Sequence, residues 1–182
     1  GISGDIAVVG AWQDDDSGDT SGAAYVFTRT GETWTQQQKL LPSDAALGDA
    51  FGYAVAIDGE TVVVSGHGND DNGFNSGSAY VFTRSGEVWS EQQKLLPDDG
   101  MPSDSFGFSV DVRGDSVIVG ADLDDNGAEI DAGSAYVFTR SLGTWSQQQK
   151  LLSDDGIAGD NFGWSVSISD DMAVVGSIGD DY

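Results

Sequence analysis

The sequence predicts an all-β fold of four-stranded antiparallel sheets stacked as the blades of a β-propeller, an incomplete propeller or a portion of a larger one. Three observations predict it. The string AYVFTR occurs at Ala24–Arg29, Ala79–Arg84 and Ala135–Arg140, 55 and 56 residues apart. A Trp-led polar run closing on two leucines follows each copy, as Thr33–Leu41, Val88–Leu96 and Thr144–Leu152. Between these landmarks the apolar residues alternate or run on over short stretches, and nowhere recur at helical spacing.

The first strand of each unit is expected to open at Phe-Gly, that is at Phe51, Phe106 and Phe162. Alternation places Phe106, Phe108, Val110 and Val112 on one side and Gly107, Ser109 and Asp111 on the other. A short turn such as Asp58-Gly59 leads to the second strand, Thr61–Gly66, Ser116–Ala121 or Met172–Ser177, with Ile6–Ala11 the same element at the front. It is continuously apolar, as a central strand covered on both faces requires. A long acidic loop follows, then AYVFTR as the third strand, a glycine-containing hairpin, and the Trp-led run as the fourth. The fourth strand carries Gln and Lys on both faces, which suits an outer edge, so the triplets Gln36–Gln38 and Gln147–Gln149 are expected in solvent. Trp34, Trp89 and Trp145 share one repeat position and are expected to pack that strand. Residues 1–41 make a partial blade of the last three strands, 51–96 and 106–152 complete blades, and 162–182 the first two strands of another.

Composition excludes several classes. The 182 residues include 31 acidic against 7 basic side chains, a net charge of −24, which argues against nucleic acid because binding phosphate needs Lys and Arg. No apolar run approaches the roughly 20 residues of a membrane span. The absence of cysteine excludes a disulfide framework. Of the acidic residues only 5 are Glu, and Asp is the acid preferred in turns, so the charge belongs to loops.

Phe-Gly opening a strand, followed some 13 residues later by Gly10-Ala11, Gly120-Ala121 or the degraded pairs Ser65-Gly66 and Gly176-Ser177, resembles the FG-GAP repeat of integrin alpha subunits and bacterial secreted proteins. The resemblance covers essentially the whole chain. It implies a β-propeller, extracellular or on the cell surface, used for binding or adhesion and often loaded with calcium. The family's calcium loop joins the first two strands of a blade, and here that connection is a short turn (Ile57–Glu60, Val112–Asp115, Ile168–Asp171), so its ligand positions do not carry over.

The acid lies in the next loop instead. Candidate Ca2+ ligands there are Asp14, Asp16 and Asp19; Asp70, Asp71 and Asn72; and Asp122, Asp124, Asn126 and Asp131, the third set being the richest. Calcium takes six to eight oxygens from carboxylates, amides and carbonyls, which such loops contain. Solvated turns held by Asx hydrogen bonds are the competing expectation. Asp49, Asp104 and Asp160, two residues before each Phe-Gly, are expected to tether the turn into the first strand. Arg113-Gly114-Asp115 matches an adhesion tripeptide but occupies an ordinary hairpin position. Trp12, in an acidic loop, is the candidate exposed aromatic for a ligand. His67 is the only histidine, and the acids recur with the repeat where a single active site would break it, so catalysis is not expected.

These features point to a non-catalytic extracellular binding or structural module, calcium-stabilised, of an adhesin or cell-surface protein, with a glycan or protein as ligand. A carbohydrate-binding propeller is one alternative. A filament or shell subunit that self-associates through open blade edges is the other.

Overall fold

The computed structural model describes residues 1–127 and 129–179, so positions 180–182 of the last partial blade lie outside the described residues. The chain forms fourteen strands among them: β1 (Ile2–Ser3), β2 (Ile6–Ala11), β3 (Ala23–Thr30), β4 (Thr33–Leu40), β5 (Val55–Asp58), β6 (Thr61–Gly66), β7 (Ser78–Ser85), β8 (Val88–Leu95), β9 (Ser109–Arg113), β10 (Ser116–Ala121), β11 (Ser134–Ser141), β12 (Thr144–Leu151), β13 (Ser165–Ser169) and β14 (Met172–Gly176). They pair, antiparallel throughout, as β1-β2-β3-β4, β5-β6-β7-β8, β9-β10-β11-β12 and the two-stranded β13-β14. The first sheet therefore has four strands where the sequence suggested three; Ile2 and Ser3 fill the first-strand place by pairing with Ala7 and Ile6. Among the described residues no helix is long and apolar enough to cross a membrane.

The sheets stack face on face, and the core lies between them. One cluster joins Val8, Val26 and Leu40 of the first sheet to Val62, Val64, Tyr80, Phe82 and Trp89 of the second. The other joins Val63, Val81 and Leu95 of the second to Val117, Val119, Tyr136, Phe138 and Trp145 of the third. Consecutive valines of β6 thus serve opposite interfaces, and both faces of that strand are buried. At roughly 1.5–3 kcal/mol for each fully buried aliphatic or aromatic side chain, these interfaces supply the main stabilisation.

The first strand starts three or four residues later than its alternation suggested, at Val55, Ser109 and Ser165, and the reason is a glycine. Gly107 has φ +96°, and a Cβ there would lie 2.6 Å from the Ser78 carbonyl oxygen. The turn sends Phe106 into the core, 5.4 Å from the Tyr136 ring, while Phe108 goes elsewhere, so the two do not share a side. Phe106 also bridges Gly77 across the sheet-to-sheet connection, as Phe51 bridges Gly22 and Phe162 bridges Gly133.

The glutamine runs of β4 and β8 are not solvated edges, whereas in β12 Gln148 and Gln149 are exposed as expected. In β4, β8 and β12 the register slips opposite Val26/Phe27, Val81/Phe82 and Val137/Phe138, which leaves Gln37, Gln92 and Gln148 as bulge residues. A bulge re-aims a side chain, so Gln37 and Gln38 both reach the next sheet. The Gln38 amide donates to the Trp89 carbonyl at 2.7 Å and accepts from the Trp89 N–H at 2.9 Å, while Gln37 accepts from the Trp89 indole at 3.3 Å. Gln92 and Gln93 treat Trp145 the same way. Trp89 and Trp145 are 2% and 3% exposed, as expected of packing residues, whereas Trp34 is 37% exposed on the outward face of the first sheet.

Candidate functional site

The second strand of each sheet ends where an acidic loop begins, and the connection from the previous sheet arrives at the same end. All three lysines of the chain, Lys39, Lys94 and Lys150, point there from the fourth strands. Each sits opposite a third-strand tyrosine, in the register pairs Tyr25–Lys39, Tyr80–Lys94 and Tyr136–Lys150. The ammonium lies 5.4, 5.1 and 5.3 Å from the centre of its own tyrosine ring. Lys39 bonds both Asp14 oxygens at 2.8 and 3.0 Å and also pairs with Asp16. Lys94 reaches Asp44 at 2.7 Å, Asp71 at 2.5 Å and the Asn69 amide oxygen at 3.2 Å. Lys150 reaches Asp99 at 2.8 Å and Asp124 at 2.7 Å. The tyrosine hydroxyl completes each cluster, Tyr25 donating to Asp14 at 2.7 Å, Tyr80 to Asp44 at 2.9 Å and Tyr136 to Asp124 at 2.6 Å.

Electrostatics follow from this geometry. The bonds from Lys39 and Tyr25 hold the Asp14 carboxyl below the usual range. Burial alone would push Asp44 and Asp99 up, but the ammonium and hydroxyl outweigh it and hold both low. Burial likewise works against the charge of Lys94 and Lys150, and their carboxylate partners more than restore it.

The remaining candidates and their neighbouring aspartates shape the loops. Asp15, Asp70 and Asp125 accept the N–H of Thr20, Asn75 and Asp131 at 2.8, 2.7 and 2.9 Å, fixing those three residues in left-handed backbone. The N–H of Asn72 donates to the Ser76 hydroxyl, the Asn126 amide donates to the Gly133 carbonyl at 2.8 Å, and the Asp19 carboxylate accepts the neighbouring Thr20 hydroxyl. Asp49, Asp104 and Asp160 accept the N–H three residues back at 2.6–2.8 Å, which is the expected tether. Arg113 engages Asp58 and Asp170 while Asp115 pairs with Arg140, so the charges of the adhesion-like tripeptide are internally matched.

The third set does not converge. Asp124 faces Lys150, Asn126 bonds backbone, and Asp122 is buried, 3% exposed, with one oxygen unpartnered and its pKa pushed up to about 6 by burial. Among the described residues no three acidic or histidine side chains gather in metal-binding geometry. Asp14, Asp16, Asp71 and Asp124 are turned on an ammonium and the other candidates do not gather, so the loops as built do not fit a calcium cage.

A second arrangement at this end escaped the sequence reading. Trp12, His67 and Asp122 share one repeat position just past the second strand, and Tyr53, Phe108 and Trp164 each follow Phe-Gly. The glycine turn that buries Phe51 and Phe106 brings the next ring out beside them. Trp12 and Tyr53 lie 6.3 Å apart, Tyr53 and His67 4.0 Å, Tyr53 and Phe108 5.3 Å, and Phe108 and Trp164 4.6 Å. The result is one row of rings crossing all four sheets, with Trp12 and Trp164 about 40% exposed at its ends. The signal was an aromatic after every Phe-Gly, masked because alternation assigned it to the core. Burial holds the His67 pKa below its ordinary value, so the ring stacks as a neutral aromatic at pH 7.

The sequence model of the FG-GAP repeat family matches residues 1–27, 34–82, 89–138 and 145–182. The matches at 34–82 and 89–138 run from a fourth strand through the next sheet's third strand, and that at 145–182 runs from β12 through β14, so three of the four span a sheet-to-sheet junction while 1–27 lies within the first sheet. No curated protein matches the chain.

Proposed function

The chain belongs to the FG-GAP repeat family, and from that premise we propose that it is a non-catalytic binding module of an extracellular adhesin or surface protein. FG-GAP repeats are generally extracellular, adhesion-type modules. The single observation that carries the proposal is the row Trp12–Tyr53–His67–Phe108–Trp164. Rings brought side by side by successive blades, tilted 43–68° to one another, half-buried at Tyr53, His67 and Phe108 and exposed at Trp12 and Trp164, present a continuous apolar ridge, which suits the face of a sugar or an extended stretch of a partner protein. The lysine–tyrosine–aspartate clusters recur from blade to blade with a change of partner, as a structural repeat does. The reading does not call on calcium, because lysine engages one or two carboxylates of each loop, Asp14 and Asp16, Asp71, and Asp124.

Screening the chain on a glycan array and against extracellular matrix proteins, followed by calorimetry on Trp12→Ala/Trp164→Ala, tests it. The double variant is expected to melt as the parent does and to bind at least about tenfold more weakly, the scale of two lost aromatic contacts. Undiminished binding by the double variant would exclude the row as the contact face.

One observation favours a second role, self-assembly. Gln148 and Gln149 hold the bulged clamp position with no partner among the described residues, beside the groove lined by Val137, Leu151, Ile168 and Met172. Trp34, with Ile2, Val9 and Phe27, is the corresponding open face on the first sheet. The repeat's own interface would join these two faces head to tail between copies, and sedimentation velocity over a concentration series reads that association directly.

A further inference from the structure

We propose that Lys39, Lys94 and Lys150 are the fixed internal cations of the blades and close the acidic loops in place of calcium. The family resemblance leads one to expect metal, and a chain with 31 acidic residues needs positive charge where its loops crowd. The chain has only three lysines, and every one stands at the same point of the repeat, in register with a tyrosine and within reach of loop carboxylates.

The ammonium does geometrically what a bound cation would do. Lys94 ties the loop (Asn69, Asp71), the incoming connection (Asp44) and the third strand (Tyr80) to the fourth strand. Lys150 ties Asp124, Asp99 and Tyr136 in the same way. In the first sheet Asp16 takes the place of the connection's aspartate, so the partner changes while the cation stays. An ammonium offers three donors and one charge at a point fixed by its strand. It cannot dissociate into the medium, so the loops are closed at any calcium concentration.

The test compares melting of the full chain in chelator and in millimolar calcium, for the parent and for Lys150→Met, which keeps the aliphatic stem and removes the charge. A ligand that binds only the folded state must raise its melting temperature. The parent is expected to melt at the same temperature in both buffers. Lys150→Met should melt lower by about 5–10 °C, since breaking a half-buried pair leaves Asp99 and Asp124 facing each other uncompensated. Calcium should then restore part of that loss, and Lys150→Arg should lie close to the parent. Should Lys150→Met fail to fold, Lys39→Met in the more exposed first loop carries the same comparison. Calcium stabilising the parent as much as the methionine variant, or a methionine variant that melts like the parent in chelator, would overturn the proposal.

Discussion

Asp104 and Asp122 are buried carboxyls whose pKa values burial pushes up to about 6. Folding therefore takes up protons between the ordinary carboxylate range and pH 6, and the stability this contributes is lost as pH rises through about 6. Asp14, Asp44 and Asp99 act oppositely: held low, they contribute stability above the ordinary range that disappears as pH falls through it. Tm is thus expected to rise as pH drops from 7.5 to about 5 and to fall again below about 3.5. Asp104→Asn keeps an acceptor for the Met101 N–H. A calorimetric pH series should show it more stable than the parent at pH 7.5, by on the order of 2 kcal/mol, with a flatter profile between pH 5 and 7.5. At this scale the sequence was only partly legible. Asp, Asn and Gly at loop spacing identified acidic turns, but which carboxylate meets a cation depends on a lysine some 25 residues on, brought near by strand register. Asp122 and Asp124, two residues apart, end in unrelated surroundings for that reason.

Among the elements, the fourth strand departs most from expectation. A run of Gln, Lys and Thr reads as a solvated edge, and a bulge of one residue turns it into an interface. Side-chain amides are the right groups for that task, since each can donate and accept at once and so replace a missing strand partner. Removing Gln93 deletes both bonds to the Trp145 backbone and leaves that N–H unpaired. Gln93→Ala should lower stability by about 1–3 kcal/mol in denaturant titration. Gln149→Ala, at the same repeat position without such a partner among the described residues, should be near neutral in dilute solution. Equal losses for the two would contradict the clamp. The second strands were legible because covering both faces demands unbroken apolar sequence, and β6 with every residue buried satisfies that. The first strands were legible only in part, since the positive-φ glycine of Phe-Gly interrupts the alternation that alternation counting presumes.

For the whole molecule, periodicity reveals the number and order of the sheets but not the row of rings, which exists only once sheets are stacked. Stacking also gives each sheet two unlike faces: one presents tryptophan, the next sheet presents glutamine and leucine behind it. The same two faces recur from junction to junction, which accords with family matches at 34–82, 89–138 and 145–182 that span junctions rather than sheets. The most direct measurement of this stacking is amide hydrogen exchange at the three equivalent tryptophans. Trp89 and Trp145 donate their backbone N–H to Gln38 and Gln93 of the preceding sheet. The N–H of Trp34, at the same register, has no such glutamine among the described residues. Stacked blades predict that the Trp89 and Trp145 amides exchange at least about tenfold more slowly than that of Trp34. Equal exchange at all three would mean that the sheets do not clamp one another as described.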